Sequence, residues 1–243
     1  MRIIRDERRI NVLSSVGQYA TLGGLLILLV GLVISFVRPT WMLPVMISVG
    51  LGFILSMLGG FFADRYAGSM AHHKALAEVL KGLDYRHTLL QYVLPVNHVL
   101  VEPGGCTVFV VKSQAGEVVY ENGKRGKWKH RQRGKIFRRL VGQAGVGRPD
   151  QEAENDVETL RAYLDERMEA ADRIPIRGAI VFVNEDVELH ADDSPVPAFY
   201  RKKVKDWLRG SGDLRPLPDA LQDALSETLG LQDGEEEGEV VAA

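Results

Sequence analysis

The sequence predicts a two-helix transmembrane hairpin joined to an α/β domain built on a mixed sheet. Three observations carry that prediction. Two nearly uncharged runs, Gly17 to Val37 and Trp41 to Phe62, stand back to back near the start of the chain. A Val-rich stretch, Asn97 to Lys112, reads as two strands around a Pro103-Gly104-Gly105 turn. A continuously apolar segment, Ala179 to Val183, reads as a strand covered on both faces, with helical patterns before and after it.

Length and composition set the bounds. A chain of 243 residues allows one globular domain with accessories. A net charge of −2 names no partner, and a single cysteine, Cys106, excludes an intrachain disulfide and a multi-cysteine zinc site. The charges are unevenly spread: between residues 17 and 63 only Arg38 is charged.

Each apolar run matches the ~20 residues needed to cross about 30 Å of hydrocarbon. Only Arg38, Pro39 and Thr40 separate them, so the helices must be antiparallel with both ends on one side. Arg2, Arg5, Arg8 and Arg9 precede the first run, and Arg65 and Lys74 follow the second. The excess of bases over the lone Arg38 places both termini in the cytoplasm of an inner-membrane protein. Trp41 fits an interfacial anchor at the far side. Ser48, Gly52, Ser56 and Gly60 recur every four residues on the second run, and Gly24, Gly31 and Ser35 thin the first. Such small residues favour close packing within the hairpin, with self-association as the other use of the stripe.

After a cytoplasmic segment 1–16 and spans 17–37 and 41–62, the remainder divides into an α/β domain, 64–210, and a helix with an acidic tail, 211–243. Asp64 to Leu83 has a helical apolar stripe. Thr88 to Leu94, Asn97 to Glu102, Cys106 to Lys112 and Glu117 to Glu121 read as a meander of strands. Gln151 to Ala171 is a helix, Ile174 to Val183 and Val187 to His190 are strands, Ala198 to Leu208 is a helix, and Leu217 to Leu231 is a last amphipathic one. Asp233 to Ala243, with four glutamates and no base, reads as disordered. Asn122 to Arg139 holds nine Lys and Arg and no acid, and Ile136 to Val141 within it is helix-compatible.

The order helix, strand, Pro-Gly-Gly hairpin ending in lysine, glycine and strand resembles the nuclease-related domain, of the restriction-endonuclease-like superfamily. The resemblance rests on Val93-Leu94-Pro95, Asn97-His98-Val99-Leu100-Val101, Phe109-Val110-Val111-Lys112, Gly116, and Gly178 to Asn184. It covers about residues 70 to 210. It implies a metal-dependent phosphodiesterase pocket in which strand carboxylates hold Mg²⁺ and a lysine assists at the phosphate. The acids would stand at positions 97 and 110; this chain has Asn97 and Val110 and keeps Lys112.

Face alternation puts Asn97, Val99 and Val101 on one side of their strand, with Val108, Val110 and Lys112 sharing a side of the next. Glu102 and His98 then point away from Asn97, and Glu117 lies beyond the turn. Glu78, on the preceding helix, is the best remaining acid. The preferred expectation is therefore a membrane-anchored, catalytically degenerate nuclease-related protein needing no cofactor. It would bind nucleic acid or anionic headgroups through Lys124, Arg125, Lys127, Trp128, Lys129, Arg131 and Arg133. Two rivals stay open: a Mg²⁺-dependent nuclease with non-standard ligands, and a membrane scaffold recruiting a protein partner.

Overall fold

The computed structural model describes residues 1–68, 71–122, 126–131, 145–210 and 215–231. It opens with a short strand, β1 (Arg2–Arg5), and one residue, Asp6, turns the chain into helix α1 (Glu7–Val37). Asp6 caps that helix by accepting from the Arg9 backbone N–H at 2.8 Å. Helix α2 (Met42–Tyr66) returns antiparallel. Both helices are long and apolar enough to cross a membrane, and only 11% of the most apolar stretch of each is buried within the molecule.

The two helices meet along glycines seven residues apart. Gly17, Gly24 and Gly31 of α1 and Gly52 and Gly59 of α2 are buried. A Cβ on Gly24 would stand 2.5 Å from Ser56 Oγ and 2.8 Å from the Gly52 carbonyl. The seven-residue period is that of a supercoiled pair. Of the stripe expected on α2, Ser48, Gly52 and Ser56 do face α1, while the last place falls to Gly59 rather than Gly60.

Helix α3 (His72–Leu80) follows, then strands β2 (Thr88–Gln91), β3 (His98–Glu102), β4 (Gly105–Lys112), β5 (Gly116–Glu121) and β6 (Lys127–Arg131). Helix α4 (Pro149–Asp165) leads to β7 (Ile176–Phe182), β8 (Val187–His190) and β9 (Ala198–Tyr200). Helices α5 (Val204–Gly210) and α6 (Asp219–Thr228) close the described chain. The main sheet has the order β1-β2-β3-β4-β7-β9 and is mixed: β2-β3-β4 is an antiparallel meander, while β1, β7 and β9 join in parallel. A smaller sheet has the order β6-β5-β8.

Helices cover both faces of the main sheet. On one face, Leu76, Val79 and Leu80 of α3 and Val204 and Leu208 of α5 pack on Leu100, Phe109, Val111 and Val181. On the other, Leu160 and Leu164 of α4 and Leu225 of α6 pack on Val99, Val101, Cys106 and Val108. This is the α/β architecture the sequence predicts. Val99 pairs with Val108 and Val101 with Cys106, so Asn97 and Lys112 belong to the face under α4.

Several expected boundaries move, each for a local reason. The helix expected over Asp64 to Leu83 is two, because α2 runs on to Tyr66 and the chain turns through Gly68 at φ +78° before α3. The strand expected to reach Leu94 stops at Gln91, because Tyr92 takes φ +62°. β5 leaves the meander for the second sheet. The helix expected from Ala198 starts only at Val204, because Ala198–Tyr200 pair with β7 as an edge strand. The segment 1–16, expected only to precede the first span, supplies an edge strand and the first turns of α1. The acidic tail and the segment Ile136 to Val141 lie outside the described residues.

Candidate functional site

Strand directions gather the chemistry at one end of the sheet. β1 runs straight into α1, so its Arg5 end lies beside the helical hairpin. β2 is parallel to β1 and ends there too; β3 begins there, and β4 and β7 end there. The pocket at this end is lined by Asp64, Arg65 and Tyr66 of α2, His72 of α3, and Asn97, His98, Val110 and Lys112 of the strands. Glu152 and Asp156 of α4 complete its charged lining, around a cavity of about 100 Å³.

Lys112 is the last residue of β4, and its side chain is buried. Its ammonium donates to both carboxylate oxygens of Glu152, at 2.8 and 2.7 Å. Burial pushes the lysine below its ordinary range, with Glu152 opposing that push. Asp156, one turn further along α4, is raised to about 6 by burial and by the Glu152 charge. It receives no hydrogen bond from the described residues. Helix α4 comes after β5 and β6 in the crossover from β4 to the parallel strand β7, and its first turn brings Glu152 over the end of β4 where Lys112 emerges.

The opposite face of the strands holds a buried aromatic group. The Tyr92 ring lies 5.2 Å from Tyr66, 5.0 Å from His98 and 6.1 Å from His73 between centroids. Burial lowers His72 to about 3 and His73 to about 4, and holds His98 well below the usual imidazole range; Arg65 and Lys112 add to the effect on His72. All three are neutral at pH 7. His72 Nε2, His73 Nδ1 and His98 Nδ1 are buried without a hydrogen-bond partner among the described residues.

Of the predicted pocket residues, the structure brings Asn97, Val110 and Lys112 together. Glu78 is not among them: it is exposed and pairs with Arg201 at 3.1 Å. Glu102 ends β3, at the opposite end of the sheet from Lys112, bonded to Thr107 and Arg177. Sequence reasoning missed Glu152 and Asp156, although their four-residue spacing puts them on one helical face. It also missed the His72-His73 pair, and Asp64 and Arg65 as pocket walls.

The basic row is partly described. Lys124, Arg125 and Arg133 lie outside the described residues. On β6, Lys127, Lys129 and Arg131 point outward, while Trp128 and His130 point inward. Lys129 pairs with Glu121 at 2.6 Å and Arg131 with Glu117 at 3.7 Å. Trp128 is not free for stacking. Its ring packs on Tyr120 and Phe182, and its indole N–H donates to Asp150 at 3.0 Å.

Residues 67–183 match the family model described as the nuclease-related domain. The chain carries a nuclease-related domain. Neither a curated protein nor a solved structure matches the chain. The nuclease-related match contains every strand and helix residue of the pocket except Asp64, Arg65 and Tyr66, which the apolar hairpin contributes from outside it. A nuclease-related pocket of hydrolytic type would hold Mg²⁺ on several oxygen ligands. Here Asn97 offers one neutral oxygen and Val110 none, both Glu152 oxygens are taken by Lys112, one Asp64 oxygen accepts from Ser113, and the Asp156 carboxylate is unpaired among the described residues. Among the described residues no three of His, Cys, Asp and Glu are grouped to hold an ion.

Proposed function

We infer that this is a membrane-anchored nuclease-related protein that binds nucleic-acid backbones at the cytoplasmic face without cleaving them. The observation that carries the reading is the closed Lys112–Glu152 pair. The lysine that would assist at a scissile phosphate is neutralised by a helix carboxylate, beside an amide and a valine. For nucleic-acid backbones the reading relies on the outward row Lys127, Lys129 and Arg131, where the ion pairs of Lys129 and Arg131 are exposed and screened by salt. Anchoring is supported by the hairpin itself: a soluble core helix buries its apolar surface, and these two leave theirs open.

The test uses the full chain in detergent or nanodiscs with labelled DNA and RNA, with and without Mg²⁺ or Mn²⁺. Binding that weakens steeply with salt and yields no cleavage supports the reading. Metal-dependent cleavage abolished by Glu152→Gln or Asp156→Asn overturns it in favour of a nuclease with helix-borne ligands. Absence of binding to either nucleic acid leaves the scaffold reading.

A further inference from the structure

The pocket's position relative to the hairpin identifies a second kind of ligand. The apolar run of α2 ends at Phe62 and Ala63, level with Gly17 of α1, where a Cβ on Gly17 would touch both. Arg65 and Tyr66 follow within one turn. At 1.5 Å per residue they stand about 5 Å below the last apolar side chains, and a headgroup layer is roughly 5–8 Å deep on each side. The first turns of α1 continue down into the domain, where Ile10 is buried and the Arg9 guanidinium donates to the Tyr92 carbonyl at 3.2 Å. Asp64 accepts from Ser113 Oγ at 2.9 Å, which latches the end of α2 to the end of β4. These contacts tie the pocket directly to the hairpin, so the pocket is held at headgroup depth.

Its charges are of both signs, and two of them are unspent. Lys112 and Glu152 satisfy each other. Arg65 lies over the Phe61 ring at 4.3 Å and makes no ion pair among the described residues. Asp156 has neither an ion pair nor a hydrogen bond among them. The buried Nδ1 of His98, 97% of whose residue surface is covered, adds to the lining a polar atom with no partner among the described residues. An anion alone would be repelled by Asp156, and a cation alone by Arg65. A ligand carrying both signs satisfies both.

We propose that the pocket binds a phosphate ester bearing an ammonium, drawn from the membrane as a zwitterionic phospholipid headgroup, with its phosphate on Arg65 and its ammonium on Asp156. An arginine takes a phosphate through two parallel N–H donors, and a carboxylate takes an ammonium by a charge-assisted hydrogen bond. The membrane-side residue of the pair is the one that meets the phosphate, which in a phospholipid lies nearer the acyl chains than the amine does. This site is separate from the β6 row proposed for nucleic acid, so either can fail without the other.

The test is titration of the full chain in a neutral detergent with short-chain phosphatidylethanolamine, phosphatidylglycerol, water-soluble glycerophosphoethanolamine and a DNA oligonucleotide. Expected are saturable binding of phosphatidylethanolamine, at least tenfold weaker binding of phosphatidylglycerol, and displacement by glycerophosphoethanolamine only at much higher concentration. Arg65→Gln and the near-isosteric Asp156→Asn should each weaken phosphatidylethanolamine at least tenfold while leaving the melting transition within a few degrees. Arg65→Lys should recover part of the loss. Equal affinity for the two lipids, or unchanged affinity in both variants, overturns the proposal. Equal affinity for glycerophosphoethanolamine and the lipid overturns the membrane as the source. Displacement by the oligonucleotide would make the pocket a nucleic-acid site and overturn it too.

Discussion

Lys112 and Glu152, forty residues apart, are joined by two hydrogen bonds at the mouth of the pocket, and they are unequally covered. The lysine side chain is 7% exposed and the glutamate 46%. Removing the glutamate strands a buried ammonium, whereas removing the lysine leaves a carboxylate that water can reach. Glu152→Gln should therefore cost about 2 kcal/mol and Lys112→Met about 1 kcal/mol or less. Chemical denaturation of the full chain in detergent checks the order; a larger loss for Lys112→Met would show that the pair is not what holds this corner.

The glycine seam makes a sharper contrast. Gly24→Leu must push α1 away from Ser56 and the Gly52 carbonyl, a misfit of about 1–3 kcal/mol even if the helices shift. Gly50→Leu, with nothing within 4 Å of the added Cβ, should be tolerated. Cross-linking of cysteines introduced across the seam would read the separation. Equal cross-linking in the two variants would count against intra-hairpin packing.

Stability should fall on acidification. His72 and His73 have folded values near 3 and 4, and His98 lies well below the usual range. Each is therefore protonated in the unfolded chain first, and its contribution is present above about pH 6.5 and lost as pH falls towards 4. Asp156 acts oppositely, since its folded value near 6 favours the protonated native form between about pH 4 and 6. Three imidazoles outweigh one carboxyl, so the melting temperature should drop between pH 6.5 and 4. His73→Gln should flatten the profile and Asp156→Asn should steepen it. A flat wild-type profile would contradict the buried histidines.

Deleting residues 1–66 should give a poorly folded domain rather than a convenient soluble one. It removes β1, the Met1 ammonium that donates to the Leu83 carbonyl, buried Ile10, and the Asp64 latch on Ser113. Limited proteolysis should cut this fragment faster than the full chain. Equal resistance would show that the hairpin end contributes little.

Neutralising Lys127, Lys129 and Arg131 together should weaken nucleic-acid binding evenly across sequences. It should lower the steepness of the salt dependence by up to about three, one for each phosphate contact. Retained affinity would place the contact elsewhere.

The Pro-Gly-Gly hairpin, the buried strand at Ala179 to Val183 and the apolar pair were legible because each is a local pattern with its own period. Face parity correctly placed Asn97, Val110 and Lys112 together. The acid beside Lys112 was not legible in the same way. Glu78, Glu102 and Glu117 are near the hairpin in the chain, while Glu152 is brought there by a parallel crossover that only the tertiary fold reveals. β1 escaped for a related reason: four residues, Arg-Ile-Ile-Arg, become a strand only because β2 offers them an edge. Trp128 read as a stacking platform because its basic neighbours are exposed, yet strand alternation turns it inward onto Phe182.

The single residue between β1 and α1 also sets an order of assembly. β1 is made first, but its partner β2 comes more than eighty residues later, after both long helices. Joining such distant segments in an open chain carries a loop-closure cost that grows with the separation. Once α1 and α2 have paired, Gly17 and Phe62 already lie together, and the remaining gap from α2 to β2 is short. The helical pair thus shortens the loop that the edge of the sheet has to close, and a chain whose helices fail to pair should hold β1 less firmly.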